Sequence, residues 1–121
     1  MDFLNDTPIY IQIMNIIKTD IVSGKIKKGE KLMSTRELAM ELKVNPNTVQ
    51  RVFKELESEE ICFTKRGMGT YVTEDDHMIT TLKEQLATEK IAQFVEGMEK
   101  LNFSIADIIN KLKSYEEARH A

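Results

Sequence analysis

One cysteine, two prolines, five glycines and no tryptophan stand among the 121 residues of this chain. The single thiol, Cys62, has no internal partner, so no disulfide framework can hold the fold, and a reducing cytoplasm is the expected compartment. The two histidines, His77 and His120, lie far apart and lack ligand spacing, which argues against a metal site. No apolar run approaches the roughly 20 residues that a bilayer-crossing helix needs, so a membrane partner is not expected. The first residues, MDFLNDTPIY, contain acidic side chains and no cleavage signature, and do not read as a signal peptide. Neither a Ser/His/Asp nor a Cys/His set nor a phosphate loop is present, so neither an enzyme nor a cofactor is expected.

What is there is a chain with 41% hydrophobic and 31% charged residues, the balance of one folded domain or a domain with a short appendage. Its net charge of -3 argues at first against a nucleic-acid partner. The distribution says otherwise: residues 1–73 hold 11 Lys/Arg against 10 Asp/Glu, while residues 74–121 hold 6 against 10. The acidic surplus therefore belongs to the C-terminal third, and the first part is free to carry a basic face.

Thr7-Pro8 reads as a helix start, with a capping hydroxyl and a proline at the first helical position. Ile9, Ile13, Ile16, Ile17 and Ile21 follow at helical spacing until Ser23-Gly24 ends the run. The segment KIKKGEKL, with Lys25, Lys27, Lys28 and Lys31, reads as a solvated connector with a glycine turn. A second helix opens at STRELAMEL, where Ser34 and Glu37 have capping-box spacing, and Leu38, Ala39 and Leu42 supply its apolar side. After only Lys43-Val44, Asn45 caps a third helix whose first position is Pro46. Val49, Val52, Phe53 and Leu56 form its core stripe, and Asn47, Gln50, Arg51 and Lys54 share another side.

ICFTKRGMGTYV reads as two short strands around a glycine-bearing tip, with Ile61, Phe63, Tyr71 and Val72 as strand residues. Helix, helix, short turn, helix, hairpin is a winged helix-turn-helix pattern over residues 1–73. Residues 74–121 read as two further helices. A long one runs from Asp76 to Gly97, capped within Asp75-Asp76-His77, and after a break at EKLNF a second opens on a Ser104/Asp107 capping box. The expected fold is mainly α with a small β-hairpin: a winged helix-turn-helix domain followed by a two-helix C-terminal dimerisation segment. Two helices packed only on each other can hardly bury Leu82, Leu86, Phe94, Ile105, Ile108, Ile109 and Leu112, so a partner surface is implied and a homodimer is the simplest one. A small-molecule effector pocket between these helices is the weaker reading, because no convergent polar constellation stands out.

The short turn before the third helix suits it to a major groove, where amides pair with adenine and arginine with guanine. In order, PIYIQI, IVSGKIKKGEKL, STRELAMEL, VNPNTVQRVFKELE and KRGMGTYV resemble the DNA-binding domain of the GntR family of bacterial transcription regulators. The short tail resembles that of the YtrA-like subfamily, in which it makes a dimer.

The resemblance implies a dimeric repressor on double-stranded operator DNA, often of its own operon and commonly with an ABC transporter. Arg36 then matches the family arginine that reaches DNA from the second helix. Asn47, Thr48 and Gln50, beside Asn45 and Arg51, fall on the recognition helix, and Lys65, Arg66, Gly67 and Gly69 on the wing. Arg51 has a second reading, an i, i+4 pair with Glu55.

Three residues depart from the family pattern. Met33 stands where proline is frequent, Pro46 where many members have a DNA-contacting arginine, and Glu60 where glycine is usual. A left-handed backbone at Glu60 would cost on the order of 1 kcal/mol. With proline at position 46, base reading shifts to Asn47 and Gln50 for adenine and to Arg36 for guanine. A protein-interaction module without specific DNA binding is the alternative function, favoured by the acidic total and disfavoured by the polar third helix and basic wing.

Overall fold

A computed structural model of the chain describes residue 3 and residues 6–121. The elements run α1 (Ile9–Val22), α2 (Thr35–Leu42), α3 (Pro46–Ser58), β1 (Cys62–Lys65), β2 (Gly69–Val72), α4 (Asp76–Lys100) and α5 (Ile105–Arg119). The expected order is therefore observed, mainly helical with one small hairpin. Two compact units are formed, Met1–Lys83 and Glu84–Ala121. The division falls inside α4, later than the 73/74 boundary read from the sequence, because the first turns of α4, with buried Leu82, belong to the first unit.

The core of the first unit follows from the helical periods. Ile13, Met14, Ile17 and Ile21 of α1, Ala39 of α2 and Val49, Val52, Phe53 and Leu56 of α3 are buried, with Ile61, Cys62 and Val72 from the hairpin. α3 packs against α1, α2 and β1, which makes it the centre of the unit.

Most helix ends are set by the residues expected to set them. Ser34 accepts from the Glu37 N–H at 3.1 Å while the Glu37 carboxylate accepts from the Ser34 N–H at 3.1 Å. The Ser34 backbone N–H, then its hydroxyl, hold the Glu37 carboxyl below its ordinary range. The box therefore contributes at neutral pH and is lost as pH falls through that lowered pKa. Asp75 starts α4 by accepting from the His77 and Met78 N–H groups. One start differs. Pro8, not Thr7, is the N-cap of α1, and no side chain caps that helix. With Pro8 extended at ψ 140°, its carbonyl takes the first-turn N–H groups of Ile11 and Gln12, so the Thr7 hydroxyl is not used there.

The lysine-rich connector is more ordered than the sequence suggests. Lys31 bridges Tyr71 in antiparallel fashion, with the Leu32 N–H donating to the Thr70 carbonyl at 2.8 Å and the Val72 N–H to the Glu30 carbonyl at 2.9 Å. The pairing was hidden there by Lys31, whose backbone bridges β2 while its side chain stays exposed. Lys28 also pairs with Asp76 at 3.0 Å, at the first residue of α4.

In the second unit, α4 continues beyond Gly97 to Lys100. It ends on Asn102 at φ 68°, with the Asn102 N–H on the Glu99 carbonyl and the Phe103 N–H on the Met98 carbonyl. Paired bonds of this kind around a left-handed residue close a helix, and asparagine tolerates that conformation. Ser104 and Asp107 then form the expected capping box of α5. No helix among the described residues is long and apolar enough to cross a membrane.

Glu60, the departure from glycine, is left-handed at φ 62°. Its N–H donates to the Glu57 carbonyl at 2.9 Å, and the Ile61 N–H donates to the Leu56 carbonyl at 3.0 Å. Both Leu56 and Ile61 are buried, the apolar contact that accompanies this helix ending. Glu60→Gly is therefore expected to stabilise the protein by about 0.5–1 kcal/mol. Urea denaturation checks this as a higher midpoint at unchanged slope.

Candidate nucleic-acid interface

The turn between α2 and α3 is closed by Lys43 in left-handed geometry (φ 57°), with the Val44 N–H on the Ala39 carbonyl at 3.0 Å. Asn45 follows at once, and its Oδ1 accepts from the Asn47 N–H at 2.8 Å. Pro46, with no N–H to satisfy, occupies the first position. The start of α3 is thus fixed to one residue, and with it the azimuth of every side chain that follows.

That azimuth separates the helix into two halves. Val49, Val52 and Leu56 have no exposed surface at all, whereas Asn47, Gln50, Arg51 and Lys54 are exposed. Thr48 is half-buried, and Asn45, whose Oδ1 is used in the cap, retains its amide nitrogen for an outside partner. Arg36, in the first turn of α2, is exposed as well. Among the described residues, no hydrogen bond or ion pair engages the side chains of Arg36, Asn47, Gln50, Lys54 or Arg66. The first turn of α3 contains no acidic residue, so the positive end of its dipole is not neutralised by a carboxylate.

The two flanks of α3 are tied to different elements. On one, the Thr64 hydroxyl of β1 donates to the Glu57 carboxylate. On the other, the Arg51 guanidinium lies over the Tyr10 ring of α1, 3.7 Å from its centroid. Among the described residues no ion pair joins Arg51 to Glu55, so the i, i+4 reading of Arg51 is not what the structure shows. At the far end of α3, Lys18 pairs with Glu59 at 2.9 Å.

The wing is built by register. Phe63 pairs Tyr71 and Lys65 pairs Gly69 across the hairpin. The Phe63 and Tyr71 rings stack at 5.9 Å, and the Lys65 ammonium sits 4.4 Å from the Tyr71 centroid. The tip is a turn in which the Met68 N–H donates to the Lys65 carbonyl at 2.8 Å and Gly67 takes φ 78°, the third-position geometry that favours glycine. Gly69 has φ 126°, and a Cβ there would lie 2.8 Å from Cε of Lys31, so its bareness lets Lys31 cross the wing. Arg66 and Met68 are exposed at the tip. Behind the strand, burial pushes the Cys62 thiol up to about 12, with the Glu57 charge adding to the effect. That is the state of a packed side chain rather than of a reactive thiolate.

The candidate surface so assembled is a polar helix with no acidic residue in its first turn, an arginine on α2 and a basic hairpin. Residues 9–72 match the family described as bacterial regulatory proteins, gntR family. The chain belongs to the GntR family. Over 121 aligned residues and 93% of each chain, it is 40% identical to the HTH-type transcriptional repressor YtrA of Bacillus subtilis (strain 168). A solved GntR family transcriptional regulator from Listeria monocytogenes superposes with a TM-score of 0.84 at 44% identity, covering 93% of this chain and 98% of that one. The AraR DNA-binding domain, solved in complex with an operator, superposes with a TM-score of 0.54 at 27% identity over 60% of this chain and 90% of that one. The protein is therefore a DNA-binding transcription regulator of the YtrA-like GntR kind and not an enzyme.

In this GntR regulator the sequence reading brought together α2, α3 and the wing, but it missed two aromatic supports. The Lys65 support was accessible in principle, since Phe63 and Lys65 are two apart on one strand and share a face. Tyr10 was not, because only packing brings α1 to the flank of α3. The Asn45 cap sets the azimuth of the whole interface, and Asn45→Ala is expected to destabilise the first unit by about 1 kcal/mol. Thermal unfolding of the two proteins side by side measures this directly.

Proposed function

We propose that the chain is a repressor that binds a two-fold operator as a homodimer, one α3 in each of two successive major grooves and the wings on flanking DNA. The observation that carries this reading is the exposed, unengaged set Asn47, Gln50 and Arg36 around the start of α3. The amides of Asn47 and Gln50 suit adenine, and Arg36 suits guanine. Asn45, Thr48, Arg51, Lys65, Arg66, Gly67 and Gly69 complete the contact surface, largely to the backbone. The repressor name of the similar YtrA supports the direction of control. By the same family resemblance the target is its own operon, commonly with an ABC transporter.

The test is binding to the promoter of its own operon at several salt concentrations. A specific shift is expected, with affinity falling steeply as salt rises. Gln50→Ala and Arg36→Ala should each lose about 1–3 kcal/mol of specific binding while remaining folded. Binding of the promoter no tighter than of random DNA would refute the reading.

Dimerisation is supported by the apolar side chains that the second unit leaves uncovered. Phe94, Ile105, Ile109 and Leu112 are each between 42% and 50% exposed, and Ile91, Leu101 and Tyr115 are more so. Leu86 is half-buried, while Leu82 and Ile108 are already buried within the single chain. A charge at Ile108 would therefore disturb the fold as well as any interface, and Leu112→Glu is the cleaner probe. It should sediment as a folded monomer and bind the two-site operator far more weakly than the parent protein. A Leu112→Glu protein that still sediments as a dimer would place the interface elsewhere.

A further inference from the structure

We infer that Tyr10 is a positioning residue for DNA binding: it holds Arg51 as a clamp on a backbone phosphate along the α1 flank of the recognition helix. The inference rests on the operator reading of α3 and adds a residue and a contact class to it. The Arg51 guanidinium lies 3.7 Å from the Tyr10 ring centroid, a stacking distance. Stacking uses the face of the guanidinium and leaves its in-plane N–H groups directed outward, and Arg51 itself is exposed. No carboxylate among the described residues competes for those donors.

The stack on Tyr10 decides what Arg51 can reach. At 100° per residue, Asn47 and Lys54 lie near the middle of the exposed side of α3, opposite Val49, Val52, Phe53 and Leu56. Gln50 and Glu57 lie toward one edge, and Glu57 accepts from Thr64 of the hairpin, which identifies that edge as the wing side. The backbone of Arg51 stands only about 30° past that middle, no farther than Lys54 on the other side, but the Tyr10 ring draws its guanidinium toward α1. A guanidinium held on the flank of a groove-seated helix lies beside the phosphate backbone that borders that flank. Arg51 therefore faces a phosphate, for which a pre-set planar fork is the matching donor. An unsupported arginine would have to lose its rotamer freedom on binding; one already lying on Tyr10 loses less.

The experiment uses the full chain and the operator selected by the parent protein from a random DNA pool. If the parent selects no operator, or binds it without salt dependence, the operator reading fails and not the clamp alone. With that binding established, Arg51→Ala should weaken all operator variants alike and lower the slope of log affinity against log salt by about 1 for each bound copy. Tyr10→Phe, which keeps the ring face, should bind as the parent does. Tyr10→Leu should weaken binding about three- to fivefold. In an Arg51→Ala background, Tyr10→Leu should have no further effect, a result that a merely structural tyrosine would not give.

Three results would overturn the clamp: an unchanged salt slope in Arg51→Ala, selectivity lost at a single base pair in that variant, or losses from the two substitutions that multiply in the double variant. Circular dichroism melts of each protein separate loss of contact from loss of fold, and if Tyr10→Leu unfolds, Tyr10→Met takes its place with the same expected loss.

Discussion

Everything in the first unit depends on the buried stripe of α3. Val49, Val52 and Leu56 are fully buried and Phe53 nearly so, and the helix packs against α1, α2 and β1. Burying a side chain of this size stabilises by about 1.5–3 kcal/mol, so four of them on one helix are comparable to the whole net stability of a small domain. The same helix leaves its other side polar and unengaged. A three-helix core with a hairpin is thus organised around an element that cannot rotate without exposing the core, and the outward side chains inherit that rigidity. The placement of these side chains is a consequence of core packing, not of contacts among themselves.

A rigid azimuth is useful only if the helix also starts and stops at defined residues. Asn45 and Pro46 fix the start. The stop is made by a left-handed Glu60, and the neighbouring helix α2 ends on a left-handed Lys43. Glycine would adopt both conformations at lower energy. At position 43 a charged residue in the helix-turn-helix turn adds a cation close to the open end of α3. At position 60 no contact of Glu60 among the described residues explains the residue, which makes the strain there dispensable.

The helices were legible in the sequence because each is announced by residue chemistry: Ser34 with Glu37, Asn45 with Pro46, Ser104 with Asp107, and apolar residues at helical spacing between them. The hairpin was legible from RGMG between β-formers. Features made by backbone pairing or by distant packing were not. The 30–32 segment joins β2 through its backbone while its charged side chains, Glu30 and Lys31, suggest solvent. Arg51 was offered Glu55 by sequence proximity, yet the ring of Tyr10 takes the guanidinium because α1 packs beside α3. The extension of α4 past Gly97 belongs to the same class, since one glycine weakens a helix by only about 1 kcal/mol and flanking residues outweigh it.

The acidic total of the chain is reconciled with a DNA partner by where the acids stand on α3. The four carboxylates on α3 and just after it, Glu55, Glu57, Glu59 and Glu60, all lie at its C-terminal end. Glu57 is occupied by Thr64 and Glu59 by Lys18. Along the axis, Asn47 and Glu57 are about 15 Å apart at 1.5 Å per residue, nearly two screening lengths of about 8 Å at physiological ionic strength. A phosphate at the start of α3 would therefore meet the positive end of the helix dipole and the cations Arg36, Lys43 and Arg51, and little of those carboxylates. The same gradient sets polarity of approach: with the C-terminal end inward, glutamates would meet the phosphates. Charge order along one helix, more than net charge, determines which end of it a nucleic acid can accept.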